Sequence, residues 1–342
     1  MTGAAHRPAA SRDRREPGRP DEDGEPNAEG GALGRGDPFP ERATPCASRA
    51  ADDHVTQEAM VSPQSVTYRK VPTSHRRVMG ITLRPDWLGR KTIMDFSKAT
   101  ILVTGGNSGI GRGLAEALAS RGAQVIITGR NPGTLKATLD ANAGMHGYAL
   151  DVTDAGSLKR FAAMVTERHP DLNAVIHNAG IMELEKVLEE PYDLDLVERT
   201  VATNLLAPIR LTAALLPHLR AKREAAVVTV SSGLAFVPRA EAMTYSATKA
   251  AIHSWTQGLR HELRGTDISV VEIAPPLVAT DLTPGQSENP RAMPLGAFVS
   301  EAVELLCAPE TPNEVLVQRV MPQRTAEQTG NFDKVFAMIN PA

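Results

Sequence analysis

The stretch Ile101-Leu-Val-Thr104-Gly105-Gly106-Asn107-Ser108-Gly109-Ile110-Gly111-Arg112-Gly113-Leu114 decides how the rest of the chain is read. Its first residues are an apolar run and predict a short buried strand. Glycines crowd its middle. Beyond them Leu114, Ala117 and Leu118 recur at helical spacing. Strand, glycine turn and helix together aim backbone N–H groups and the positive end of a helix at an anion. Glycine suits this turn because it takes positive φ without a Cβ clash and lets a phosphate group touch the main chain. A glycine motif alone decides little, so the remaining segments must give it meaning.

The chain has 342 residues, 42% hydrophobic and 23% charged, with net charge −3, which is an ordinary soluble-globular composition. The near-neutral balance gives no electrostatic case for nucleic acid or an anionic membrane surface. No run of about 18 apolar residues occurs, so no membrane span is expected. Cys46 and Cys307 lie far apart without metal-ligand spacing. No metal site and no disulfide is expected, and a reducing, cytoplasmic setting is.

Between Thr2 and Ala50 the only large apolar side chains are Leu33 and Phe39. Such a segment cannot bury enough apolar surface to offset its ordering entropy. Its acidic residues, among them Asp13, Glu16 and Asp21, argue against a transit peptide, and no apolar core makes it a secretory signal. Residues 1–93 are therefore expected to be a disordered leader or an over-extended gene start, since Met94 stands directly before the first strand.

Residues 94–342 are expected to form one domain. Strands are predicted at 101–103, 124–128, 148–150, 174–176, 226–230, 269–273 and 314–317. Helices are predicted at about 111–120, 131–141, 157–168, 197–214, 244–263 and 298–306, from apolar spacing. Helices between apolar β-branched runs imply right-handed βαβ units. The fold class is α/β: a doubly wound, parallel, seven-stranded sheet with helices on both faces.

In such a sheet a ligand sits outside the C-terminal strand ends. After the second strand come Gly129 and Arg130, about twenty residues beyond the glycines, where the adenosine ribose of a dinucleotide would lie. No acid stands there to meet a 2′-hydroxyl, and Arg130 suits a 2′-phosphate, so NADP(H) is expected over NAD(H). After the third strand comes Asp151-Val152, after the fourth Asn178-Ala179-Gly180, and after the fifth Ser231-Ser232-Gly233. Each reads as turn chemistry alone. Together at one sheet edge they read as a binding crevice.

The next helix carries Tyr245-Ser-Ala-Thr-Lys249. A Tyr and a Lys four apart share a helix face, so the ammonium is expected near the phenol, favouring phenolate and lowering its pKa. A tuned phenol can give a proton to a carbonyl or take one from an alcohol. Ser232 is placed to hold the substrate oxygen.

With these residues in view, 98–281 resembles the short-chain dehydrogenases/reductases. The resemblance rests on Thr104-Gly105-x-x-x-Gly109-Ile110-Gly111, Asp151, Asn178-Ala179-Gly180, Asn204, Ser232 and Tyr245-x-x-x-Lys249. The glycine spacing is that of the single-domain oxidoreductase branch, with a Rossmann-type fold. The resemblance implies a catalytic tetrad. Tyr245 is the acid/base, Lys249 tunes it and holds the nicotinamide ribose, Ser232 polarises the substrate oxygen, and Asn204 positions a relay water. Read on its own, Asn204 is an amide inside an apolar helix pattern that can distort the helix. The resemblance also assigns Gly105, Ser108, Gly109, Ile110 and Gly111 to the pyrophosphate loop. It assigns Asp151 and Val152 to adenine, and Asn178, Ala179 and Gly180 to the ribose and nicotinamide side. Pro275, Val278 and Thr280 fall at the nicotinamide loop, and Arg130 at the position that selects NADP(H).

Two positions depart from the family pattern. His177 stands where a second Asn is usual and is read as a core or loop substitute. Pro275-Pro276 replaces Pro-Gly, so the nicotinamide loop must differ locally. Glu272-x-x-Pro275-Pro276-Leu-Val, Asn204-Leu-Leu-Ala-Pro208 and Ser232-Gly-Leu-Ala-Phe236-Val-Pro238 resemble a bacterial subgroup associated with teichoic-acid D-alanylation genes. The substrate pocket is expected to draw on Met182, Leu234, Phe236, Val237, Met243 and a lid at 282–294. The expected activity is hydride transfer between NADP(H) and a small-molecule carbonyl or secondary alcohol. The alternative is a non-catalytic NADP(H)-binding regulator, which an incomplete tetrad would favour; an isomerase or dehydratase is disfavoured by the glycine spacing. Helices near 197–220 and 244–263 are expected to join a homodimer or homotetramer.

Overall fold

The computed structural model describes residues 94–341 apart from Glu189. The leader expected at 1–93 lies outside them. Seven strands form one sheet: β1 (Thr100–Thr104), β2 (Gln124–Gly129), β3 (His146–Ala149), β4 (Leu172–His177), β5 (Ala225–Val230), β6 (Ile268–Ile273) and β7 (Glu314–Val315). Their order is β3-β2-β1-β4-β5-β6-β7, and every pairing is parallel. The chain runs outward from β1 to β3, then returns to start again at β4. The crevice between β1 and β4 is thus the switch point where a doubly wound sheet binds its ligand.

Side chains alternate across the sheet. Ile101, Val103, Ile127, Ile176 and Val228 face one layer with α1 (Gly109–Ala119) and α7 (Leu295–Leu306). Leu102, Ile126, Val175 and Val227 face the other, with α3 (Ala155–Arg168) and α5 (Ala207–Leu219). Both faces are covered, which is why the strands read as continuous apolar runs rather than alternating ones. The remaining helices are α2 (Pro132–Ala141), α4 (Leu194–Val201), α6 (Met243–Glu262), α8 (Met321–Arg324) and α9 (Phe332–Ile339).

Helix starts follow local chemistry. Asn131, Asp154 and Asp193 cap α2, α3 and α4 with side-chain oxygens. The N-terminus of α1 differs: Ser108 makes no capping bond to it.

Three expectations need correction. The third strand lies at His146–Ala149 rather than 148–150, because this edge strand is only partly buried and carries no apolar run. The helix expected at 197–214 is three pieces. The π-helical turn Ala202–Leu206 separates α4 from α5. Within Leu194–Leu219 a stretch of 18 residues reaches a mean hydropathy of 1.2, so the segment is long and apolar enough to cross a membrane by length and composition alone. It packs on α3 and α6, so its apolar character serves the core. The last strand ends at Val315, although Val317 remains buried.

Candidate active site

The glycine turn is held by its neighbours. Gly105 and Gly109 have φ of +65° and +50°, where a side chain is strained. A Cβ on Gly111 would lie 2.2 Å from the Asn178 Nδ2 and 2.3 Å from the Gly105 oxygen. Asn178 donates through Nδ2 to the carbonyls of Thr104 (3.1 Å) and Gly105 (3.3 Å). Thr104 Oγ1 accepts from the backbone N–H groups of Asn178 and Ala179. The end of β4 is therefore stapled to the glycine turn. The Asn178 carboxamide thereby closes over that turn. With Ser108 making no capping bond, α1 presents N–H groups that suit the pyrophosphate of a dinucleotide.

Thr280 comes to the same place. Its Cγ2 would stand 3.6 Å from a Cβ on Gly109. The Pro275 carbonyl accepts from Gly233 N–H at 2.8 Å, tying the nicotinamide loop to the residue after Ser232. Val278 is buried and bridges to Met293. Gln286 donates to the Val278 carbonyl and to Thr280 Oγ1. The segment expected as a lid is thus pinned to the cofactor loop.

At the end of β2 Asn107 packs over Gly129, where a Cβ would meet its amide at 2.3 Å. Sequence reasoning missed this contact, whose only signal was a polar residue within the glycine turn. Arg130 is exposed just beyond. Asp151 is exposed and accepts from Thr153 N–H and Oγ1. Val152 is buried in the second core layer and Ile110 is half-buried against the first.

The four expected catalytic residues converge. Asn204, Ser232, Tyr245 and Lys249 are all buried. The π turn places Asn204 so that its Oδ1 accepts from Ile181 N–H and its Nδ2 donates to the Ile181 carbonyl and to Thr248 Oγ1. Thr248 in turn donates to the Tyr245 carbonyl. A Cβ on Gly180 would lie 3.3 Å from the Asn204 Oδ1 and 3.7 Å from the Lys249 Nζ, so both groups border this residue. Lys249 donates to the Val230 carbonyl at 2.8 Å, and its Nζ stands 5.4 Å from the Tyr245 ring centre.

Electrostatics correct one expectation. Burial pushes the Tyr245 phenol up to about 12, and a hydrogen bond with Ser232 only partly opposes it. Burial also pushes Lys249 down to about 8, against the pull of the Glu272 carboxylate. The phenol is not lowered here because its burial outweighs the hydrogen bond that favours the ionised form.

The expected pocket is partly redrawn. Met182 and Leu234 do pack beside Tyr245. Phe236 instead makes a T-shaped contact with the His253 ring, and Arg324 stands over its ring at 4.9 Å. Val237 is buried with Ala326 and Val335 under α9. That helix shows apolar spacing at Phe332, Val335, Phe336 and Ile339, a signal the sequence carried. His177 is fully buried, its Nε2 2.7 Å from Thr212 Oγ1, and takes no place in the crevice.

His253, Glu272 and Glu314 bring ligand atoms within 4.8 Å of one another. Arg324 engages both Glu314 oxygens, however, so this group is an ion-pair network.

A family model described as short chain dehydrogenase matches residues 99–291. The chain belongs to that family. The enzyme is 36% identical over 253 residues to the uncharacterized oxidoreductase DltE of Bacillus subtilis, covering 72% of this chain and 98% of that one. It is 31% identical over 203 residues to the 3-oxoacyl-[acyl-carrier-protein] reductase FabG of Escherichia coli, covering 58% of this chain and 81% of that one. A short chain dehydrogenase from Burkholderia cenocepacia, solved in complex with NADP, has a similar fold. Its TM-score is 0.60 at 24% identity, over 73% of this chain and 100% of that one. The chain is accordingly a short-chain oxidoreductase.

Proposed function

We propose that the enzyme interconverts a carbonyl and a secondary alcohol with NADP(H), with Tyr245 exchanging the proton at the substrate oxygen. The observation that carries this reading is the meeting of Asn204, Ser232, Tyr245 and Lys249 at the strand ends beside the glycine turn. When bound, the dinucleotide supplies or accepts the hydride. Ser232 holds the substrate oxygen by hydrogen bond. In reduction the phenol donates its proton to that oxygen, giving the alcohol, and regains a proton from solvent past Lys249 and Asn204. A phenol kept neutral by burial is in the form needed for this direction. Release of the phenol by Lys249 would serve the reverse direction.

The remaining cofactor residues take the roles implied by their positions. Gly105, Ser108, Gly109, Ile110 and Gly111 receive the pyrophosphate. Asp151 and Val152 lie at the adenine, Ala179 and Gly180 at the ribose, and Pro275, Val278 and Thr280 at the nicotinamide. Arg130 faces the 2′-phosphate. A partly apolar substrate fits Met182 and Leu234 beside the phenol. Ala247, Ala250, Ser254 and Gly258 form a small, exposed strip on α6 that suits close packing of a second copy, and a homodimer or homotetramer in the cytoplasm completes the reading.

The test is a panel of para-nitrobenzaldehyde, 3-oxoacyl thioesters and aliphatic ketones with NADPH, read by loss of its absorbance. Tyr245→Phe is expected to lower turnover by ~10²–10⁴-fold. Full turnover by that variant would overturn the mechanism.

A further inference from the structure

Glu272 is an unusual residue for its place. It lies near the end of β6, otherwise an apolar strand, and is wholly buried. Its Oε2 accepts from the His253 Nδ1 at 2.8 Å. Its Oε1 has no hydrogen-bond partner among the described residues. A buried carboxylate is costly unless it is paired, so an aliphatic residue would serve the sheet better.

Register explains what it faces. Glu272 pairs with Thr229 of β5, and Ile273 pairs with Val230. The Val230 carbonyl receives the Lys249 ammonium. His253 is one helical turn beyond Lys249 on α6, so the two side chains share a helix face. They dock on adjacent positions of two neighbouring strands, the ammonium on β5 and the imidazole on β6. Thr256, further along, meets Thr229 at 2.8 Å.

We propose that Glu272 is a positioning residue for the reaction centre: through His253 it pins α6 to β6 beside the turn carrying Lys249, one register position from the carbonyl that receives that ammonium. The inference rests on the acid–base reading of Tyr245 and Lys249 given above.

The surrounding charges leave this role to Glu272. His253 and Arg260 face it from α6, Glu314 from β7 and Arg324 from α8. Arg324 is engaged by both Glu314 oxygens. Arg260 donates to the Val270 and Asn313 carbonyls. The His253 imidazole is held in orientation by the Phe236 ring, 4.9 Å away. On the Lys249 side the facing titratable group is the Tyr245 phenol. Burial holds Lys249 near 8, and Glu272 acts in the opposite sense.

The experiment is the pH profile of kcat for NADPH-dependent reduction of para-nitrobenzaldehyde, or of the panel member turned over fastest. Activity should fall on the alkaline side as Lys249 loses its proton. Glu272→Gln keeps shape and hydrogen bonding but removes the charge, and should move this limb down by about one pH unit. Glu272→Asp keeps the charge and should leave the limb at the wild-type position. A Glu272→Gln limb that coincides with wild type, or a Glu272→Asp limb that moves with it, would overturn the proposal. Thermal melting checks that each variant folds. Should Glu272→Gln not fold, the double variant Glu272→Gln/His253→Gln, which pairs two amides, is read in its place. A chain that tolerates neither refutes the proposal, since the residue then serves the fold. Tyr245→Phe in the same assay separates the two readings. If it is inactive while the limb stays fixed, only the role of Glu272 falls; if it turns over normally, the acid–base reading falls with it.

Discussion

Lys249 sends its ammonium to the carbonyl of Val230, 2.8 Å away, while holding it 5.4 Å from the centre of the Tyr245 ring. The lysine is thus drawn to β5 and the phenol is governed by burial. A buried ammonium is costly to the fold even with a carbonyl partner. Lys249→Met should therefore leave the melting temperature unchanged or raised, while lowering kcat by ~10²–10³-fold. Calorimetry and turnover on one preparation check both halves.

Gly111 has no room for a methyl group, because the Asn178 amide and the Gly105 carbonyl both lie within 2.3 Å of where it would sit. Gly111→Ala should cost ~1–3 kcal/mol of stability through overpacking. It should also push the Asn178 carboxamide off the glycine turn and weaken NADPH binding. Urea unfolding and fluorescence titration with NADPH measure the two effects.

Asn107 lies over Gly129 at the end of β2, and Arg130 is the exposed charge beyond it. Arg130→Ala should raise the KM for NADPH about tenfold, the worth of one charge-assisted contact to phosphate, and leave that for NADH nearly unchanged. Steady-state kinetics with both cofactors reads the ratio.

His177 is buried neutral, and desolvation holds it down to about 3 from an ordinary 6.5. The unfolded chain takes up this proton near 6.5 and the folded chain does not. The associated stability is therefore whole above that pH and is lost as pH falls toward 3, by up to about 1.4 kcal/mol per unit. His177→Asn should flatten this acid slope. Urea midpoints across about pH 7 to 5 test it.

Much of this could be read from the residues in order. The apolar runs of β1, β4, β5 and β6 and the caps at Asn131 and Asp154 are local signals, so the parallel sheet was legible. The convergence of Ser232, Tyr245 and Lys249 followed from strand ends and helix spacing. The direction in which side chains turn was not legible. Phe236 looked like pocket lining, but His253 and Arg324 meet its ring from segments 17 and 88 residues further along the chain. The phenol's environment also depended on a tertiary fact, its depth of burial. Glu272 stood out in the sequence only as part of a resemblance, because burial and register are invisible until the sheet is assembled.

The π turn at Ala202–Leu206 closes with the Ala207 N–H bonded to the Ala202 carbonyl, five residues back. It thus holds one residue more than an ordinary turn. Because the extra residue is taken up inside the turn, deleting one residue between 202 and 206 would restore a uniform helix and leave Leu211, Leu215 and Leu219 on the sheet they cover, while removing the widened turn that carries Asn204. The inserted residue thus serves the site and not the core, so its deletion should cost activity while the fold is kept.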